Sequence, residues 1–295
     1  MARGRADARL GAEIEWKLMG TGPAIMQAFQ RQELDLAYIG LPPAIIGIAH
    51  GIDVICVAGG HMEGTVMAGK PRWLGYSDTP DLRAILQQFR GHSIGVPGKG
   101  SIHDVILKDC IEQHGLGAEI RIVNYPWADL VTEAVVHNEV SAAFGTPALA
   151  VAIKRFAGGN ILYPPSRLWP GNPSYGIVAD RRFLQTEEKT VEQFLLLHEE
   201  ATAFMRKKPL DAARIIADFI GIIDQEFVFE TLLVSPKYCA QLSKDYIAST
   251  MKFIPVLRQK GYISSDVVQD RIFSTEIIKR IHPESEHYHD GITMA

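Results

Sequence analysis

The chain has 295 residues, 47% of them hydrophobic and 22% charged, which is a globular composition and excludes disordered, collagenous and disulfide-scaffold classes. Its net charge of −4 argues against a dedicated nucleic-acid or anionic-membrane surface, while leaving room for a local positive pocket. Three scattered cysteines, Cys56, Cys110 and Cys239, form no CxxC pair and no zinc or redox motif, so they read as small buried hydrophobes.

No stretch is long enough to be a membrane span. The first ten residues carry charge but no apolar h-region, so they are not a signal peptide. The pattern predicts a strand over 12–18, a short helix over 23–31, a strand over 34–39, a helix over 44–50 and strands over 54–58 and 65–68. Pro71, Gly75 and Pro80 then break the rhythm. Alternation resumes with helices over 81–89, 101–114, 127–137 and 147–156, and strands over 93–96, 120–124, 141–144 and 161–163. A turn-rich stretch over 164–173 leads to a strand over 174–179. Helices are expected over 186–207, 210–220, 224–233, 243–260 and 264–281, followed by a frayed tail from His282. Strands alternating with short helices indicate an α/β fold with largely parallel sheet order.

An internal repeat supports two units of common architecture. Glu33-Leu-Asp-Leu-Ala-Tyr38 aligns with Glu139-Val-Ser-Ala-Ala-Phe144. An apolar helix precedes each, and Gly40/Pro42 or Gly145/Pro147 with another apolar helix follows.

Two catalytic motifs are matched only superficially. Gly91-His-Ser93-Ile-Gly95 fits G-x-S-x-G, but its serine begins a strand instead of ending one, so it is not a nucleophile elbow. Gly95 to Ser101 resembles a P-loop, but Gly100 follows the lysine where Ser or Thr is needed. What survives is a glycine turn leading into a helix capped by Ser101, a place where free N–H groups and the helix dipole favour an anion. Gly20-Thr-Gly22-Pro23 and Gly145-Thr-Pro147 have the same character. Three such turns would face a common cleft beyond the strand ends. His61 could donate to a ligand, and Glu63 could accept from an amine or cap something local. The ten histidines show no metal spacing. Tyr125, Trp127, Trp169 and Tyr175 fall in or beside loops and read as packing or pocket walls.

The stretches Gly20 to Phe29, Glu33 to Gly40, Val57 to Gly64, Phe89 to Pro97 with Lys99-Gly-Ser101, and Trp127 to Pro147 resemble the substrate-binding proteins of ABC importers for nitrate, sulfonates, taurine and thiamine-precursor pyrimidines. The resemblance covers about residues 10 to 260. It implies a two-lobed type II periplasmic-binding-protein fold, each lobe a mainly parallel sheet flanked by helices. Lobe 1 would comprise 1–70 plus 174–295 and lobe 2 would comprise 80–165, with crossovers at 71–79 and 166–173. It also implies ligand contacts at Thr21, Gly22, Gly40, Leu41, Pro42, Gly60, His61, Gly100, Ser101, Thr146, Ser174 and Tyr175, with no catalytic residue, metal or cofactor.

The expected function is the solute-binding component of an ABC importer with a permease partner, holding a small anion in the cleft. The alternative is a desulfinase-like or menaquinone-pathway-like enzyme on the same fold, which would need a reactive cleft cysteine. Family members open with a leader, a first strand and a helix, and the expectation is that these are missing before Ala12. The chain would then be periplasmic or anchored outside the cell if a leader precedes it, and cytoplasmic otherwise.

Overall fold

A computed structural model describes residues 5–292. It contains two sheets. The first has three strands in the order β1-β8-β2, with β1 Leu36–Ile39, β2 Val54–Met62 and β8 Pro173–Asp180. The second has five strands in the order β5-β4-β6-β3-β7, with β3 Val66–Gly69, β4 Ser93–Pro97, β5 Arg121–Tyr125, β6 Ala142–Gly145 and β7 Asn160–Tyr163. The α/β class and the two-lobed architecture agree with the sequence expectation.

Strand direction follows from where the chain crosses between sheets. β2 leaves the first sheet at Met62, and β8 re-enters beside it, with Met62 paired to Pro173. β8 must therefore run against β2, and it is antiparallel to β1 as well. The first sheet is thus antiparallel rather than mainly parallel. In the second sheet β4 is parallel to β5 and β6, joined by helical crossovers, whereas β3 runs antiparallel to β6 and β7. The strand over 65–68 belongs to this second sheet, so the first crossing is Glu63-Gly-Thr65 and not 71–79. Lys70–Pro80 is instead a loop on the second lobe; Tyr76 donates its N–H to the Leu162 carbonyl at 2.8 Å.

The two crossings lie side by side. Glu63 N–H donates to the Asn172 carbonyl at 2.7 Å, and Gly171 N–H donates to Glu63 Oε1 at 2.8 Å. Gly64 N–H donates to Ser174 Oγ. Glu63 Oε2 also pairs with Lys237 Nζ at 2.7 Å. Glu63 is thus a local cap that ties both crossings together.

The internal repeat is present as two helix–strand–helix units. Gly22–Gln30, β1 and Leu41–Ala49 stand on the first sheet; Ala128–Val136, β6 and Pro147–Ala157 stand on the second. Each helix buries one apolar stripe, such as Met26, Ala28 and Phe29 or Val131, Ala134 and Val135. One hydrophobic cluster runs through both lobes, from Ile45 and Val57 to Ile94 and Val105.

Three expectations along the chain change. Residues 12–18 form no strand: Glu13–Leu18 and β1, the edge strand of the first sheet, line one groove of about 1050 Å³, and no ladder joins them. The helix expected over 264–281 is only Gln269–Ile272 and Glu276–Ile281. Between them Phe273 bridges to Cys56 and Ser274 N–H donates to the Cys56 carbonyl at 2.9 Å, extending the edge of β2 at the expense of helix. The tail is packed instead of frayed: Tyr288 is 1% exposed, stacks on Tyr246 and donates its hydroxyl to the Gln241 carbonyl. The last three residues lie outside the described region.

Candidate functional site between the lobes

The glycine turns meet where the lobes face one another. Thr21 caps the helix Gly22–Gln30, its Oγ1 accepting the Ala24 N–H at 3.4 Å. Against it lies Gly98, where an added Cβ would stand 2.6 Å from Thr21 Cγ2. Gly98 and Gly100 have φ of +61° and +82°, so the turn between β4 and the helix Ile102–Gln113 requires glycine at both places. Around this contact is a cavity of about 310 Å³, lined by Thr21 and Gln27 from the first lobe and by Lys99, Asn124 and Tyr125 from the second. That is at the small end of the ~300–1,000 Å³ range of ligand pockets. Lys99 is exposed at its rim.

Several expected residues line the same inter-lobe seam further along. Gly40 lies against Ile102 and the Ser174 carbonyl, with 3.3 Å to each from an added Cβ. Leu41 and Pro42 begin the helix Leu41–Ala49 and are buried. Gly22 packs on Pro43 of that helix. Thr146 caps Pro147–Ala157 by accepting the Leu149 N–H. It follows Gly145, the partner of Val66, and so stands at the same sheet end as Thr65. Thr65 and His103 are both buried and share a 3.0 Å hydrogen bond there, a pair with no motif to announce it.

Gly60, His61 and Tyr175 form a separate packed group. Gly60 is covered by the Tyr175 ring, 2.1 Å from where a Cβ would be. His61 stacks on Tyr238 at 4.4 Å, its Nε2 donates to the Ser235 carbonyl at 2.6 Å, and it is 4% exposed. Burial pulls its pKa down to about 4, so the ring is neutral. His61 is a core histidine here, with its Nε2 proton committed.

The anion reading of the helix starts is altered by two features. Pro23, Pro42, Pro43 and Pro147 occupy first-turn positions and carry no N–H, so three of the four starts offer few donors. At the fourth, the Gly100 N–H already donates to Asp104 Oδ2 at 2.8 Å. Asp104 is fully buried and also accepts from Lys108 Nζ at 2.8 Å, Tyr262 OH at 2.6 Å and Asn124 Nδ2 at 3.0 Å. Ser101 Oγ accepts the Asp104 N–H in return. The Ser101-x-x-Asp104 spacing is a capping-box signal that points to this carboxylate in the sequence. Lys99 is the cation left facing the cavity.

The remaining candidates are structural. Ser93 starts β4 and accepts from Arg121 Nε at 2.9 Å. Trp169 stacks on Phe253, and Trp127 covers Gly20 across the lobes. Burial pushes the Cys56 and Cys110 thiols up to about 12 and the Cys239 thiol up to about 11; all three are buried. None is an activated nucleophile.

Two lobes, each an α/β sheet unit, linked by two adjacent crossings, define the type II periplasmic-binding-protein fold. The chain belongs to the NMT1-like family, which matches residues 1–221. Among solved structures it is similar to the alkanesulfonate-binding protein SsuA from Xanthomonas axonopodis pv. citri bound to MOPS, with TM-score 0.76, 17% identity, and 91% of this chain and 90% of that chain covered. The periplasmic aliphatic sulphonate binding protein SsuA from Escherichia coli follows with TM-score 0.73 and 18% identity over 91% of this chain and 85% of that one. The periplasmic nitrate-binding protein NrtA from Synechocystis PCC 6803 gives TM-score 0.73 and 12% identity over 98% and 86%. No curated protein is similar enough to match. Among the described residues no helix is long and apolar enough to cross a membrane.

Proposed function

We propose that the chain is the solute-binding component of an ABC importer that closes its lobes on a small anion, a sulfonate, nitrate or carboxylate, and delivers it to a permease outside the cytoplasmic membrane. The observation that carries this reading is the cavity the lobes share, with Lys99 at its rim and hydroxyl and amide groups from both sides. A cavity built from two lobes disappears when they separate, so ligand and closure are linked. The paired crossings at Glu63–Thr65 and Gly171–Ser174 are the hinge. The fold relatives named for sulfonate and nitrate binding support an anion. No catalytic group is needed, and three buried, high-pKa thiols weigh against the desulfinase-like alternative.

The test is calorimetry and thermal shift against sulfonates, nitrate, carboxylates and pyrimidines. One anion class is expected to bind stoichiometrically and, at 100-fold excess over Kd, to stabilise the fold by about 2.7 kcal/mol. Lys99→Ala should weaken that binding about tenfold while leaving the ligand-free melting temperature unchanged. A folded protein that responds to no anion overturns the proposal.

A further inference from the structure

We propose that Glu199, Cys239 and His282 form a zinc site that pins the C-terminal tail to the back of β2. Their three ligand atoms lie within 4.8 Å of one another. Cys239 Sγ is 3.5 Å from His282 Nε2, and that nitrogen is 3.8 Å from Glu199 Oε1. A tetrahedral zinc, with bonds of about 2.3 Å to sulfur and 2.0 Å to nitrogen, holds those two atoms roughly 3.5 Å apart. Thiolate, imidazole and carboxylate together are a zinc set.

Three segments distant in sequence supply the ligands. Glu199 comes from the helix Glu188–Lys207. Cys239 lies in a segment clipped to β2, its N–H donating to the Gly60 carbonyl at 3.1 Å while Gly59 N–H donates to the Ala240 carbonyl at 2.7 Å. His282 opens the tail, whose described residues form no helix or strand beyond Ile281 and cover the site.

Two further observations favour a metal. Cys239 Sγ accepts main-chain N–H groups from both Gln241 and His287 at 3.4 Å, donors that would share the charge of the thiolate a bound metal creates, although without metal burial keeps the thiol protonated. His282 is 2% exposed, yet its Nδ1 has no hydrogen-bond partner. With Nε2 on zinc, Nδ1 carries the proton and faces Glu284 Oε2, 3.7 Å away, the carboxylate–histidine–metal relation. Arg206 Nη2 donates to Glu199 Oε1 at 3.0 Å and orients the carboxylate. Its charge offsets one of the two anionic ligands, leaving the second to face the dication. The same groups do not form a nucleophile–base–acid triad. Glu199 and Cys239 both approach Nε2, the carboxylate on the far side, Glu284, stands 3.7 Å from Nδ1 without a hydrogen bond to hold the ring, and Cys239 is wholly buried.

The test titrates the reduced, full chain with Co²⁺ and then Zn²⁺. Expected are one equivalent of cobalt, the visible bands of a tetrahedral centre, a thiolate-to-metal charge-transfer band, displacement by zinc and a raised melting temperature. Cys239→Ser and His282→Gln should each cut affinity by more than the roughly 10–100-fold typical of losing an outer-shell partner, and His289→Ala should change nothing. If Cys239→Ser does not fold, an unchanged charge-transfer band in Cys56→Ala and Cys110→Ser still assigns the thiolate to Cys239. Cobalt bound without a thiolate band, a band that survives in folded Cys239→Ser, or no stoichiometric binding would each overturn the proposal.

Discussion

Asp104 is where turn geometry, lobe packing and site chemistry depend on one side chain, and Asp104→Asn tests that dependence. The carboxylate accepts from Gly100 N–H, Lys108 Nζ, Tyr262 OH and Asn124 Nδ2 at 2.6–3.0 Å. Asparagine keeps the shape, and an amide flip of Asn124 can satisfy the new NH₂ group. What is lost is charge assistance in the bonds from Gly100, Lys108 and Tyr262. Hydrogen bonds to charged groups contribute about 1.5–3 kcal/mol against about 0.5–1.5 for neutral ones. Two conversions at roughly 1 kcal/mol apiece and a smaller one from Lys108 give about 2–3 kcal/mol of destabilisation. The Lys108 share is kept small because that side chain is 22% exposed. Tyr262→Phe alone should cost about 1.5–3 kcal/mol, the range for a hydrogen bond to a charged group. The two substitutions should be non-additive, since they remove the same contact. Urea unfolding of the four proteins at neutral pH measures all of this. The Gly98–Gly100 turn carries Lys99 to the cavity, so anion affinity should fall along with stability in Asp104→Asn. A loss under ~1 kcal/mol, or strict additivity with Tyr262→Phe, would show that the carboxylate does not hold the turn.

His61, His103 and His198 each have a pKa depressed to about 4 by burial. Their neutral forms stabilise the fold fully above the unfolded value near 6.5, and this is lost as pH falls toward 4. Between about pH 6 and 5 unfolding should take up about 2.5 protons, a slope of about 3 kcal/mol per pH unit, and urea midpoints flat across that range would contradict it. Gly60→Ala places a Cβ 2.1 Å from Tyr175 Cε2 and should cost at least ~2 kcal/mol by overpacking. Tyr175→Ala in the same chain should recover part of that loss, and additive losses would refute the steric cause. Gly98→Ala should destabilise the fold by about 1–2 kcal/mol through its positive φ. It should also weaken ligand binding, because its Cβ meets Thr21 only when the lobes are together. Normal affinity in a folded Gly98→Ala protein would detach that contact from closure.

Local pattern revealed most of the elements, and what it missed depends on partners remote in sequence. The period-2 and period-3.6 signals placed β1 to β8 within a few residues, and the repeat separated the two lobes. Strand direction was not in the pattern. β8 reads like any apolar strand, and only its entry beside Met62 makes it antiparallel. The first crossing was misplaced for a similar reason. Pro71, Gly75 and Pro80 signal a turn strongly, whereas Glu63-Gly-Thr65 is short and is recognised by its hydrogen bonds to residues 171–174. The long helix expected after Ser264 lost its middle to the edge of β2, where tertiary pairing outweighs propensity. At the site, the glycine turns were readable because positive φ and close approach leave glycine as the residue that fits. His61 was not, because the same Gly-Gly-His sequence suits a ligand donor or a core ring, and the choice is made by Tyr238 and Ser235, far along the chain.

The first-turn prolines bear on how an anion is selected. A helix start recognises charge through several N–H groups and the dipole behind them. Prolines at first-turn positions of Gly22–Gln30, Leu41–Ala49 and Pro147–Ala157 remove some of those donors. Asp104, itself paired with Lys108, takes the Gly100 donor and leaves that helix start already holding a carboxylate. Recognition by such a site shifts from fixed backbone dipoles to a mobile ammonium, Lys99, and the hydroxyl and amide groups around it. A flexible cation on a long stem tolerates planar and tetrahedral anions alike, whereas a rigid cradle of N–H groups selects one shape. Under the proposed anion-binding function, this geometry predicts modest selectivity among small anions, with affinity that falls as ionic strength rises.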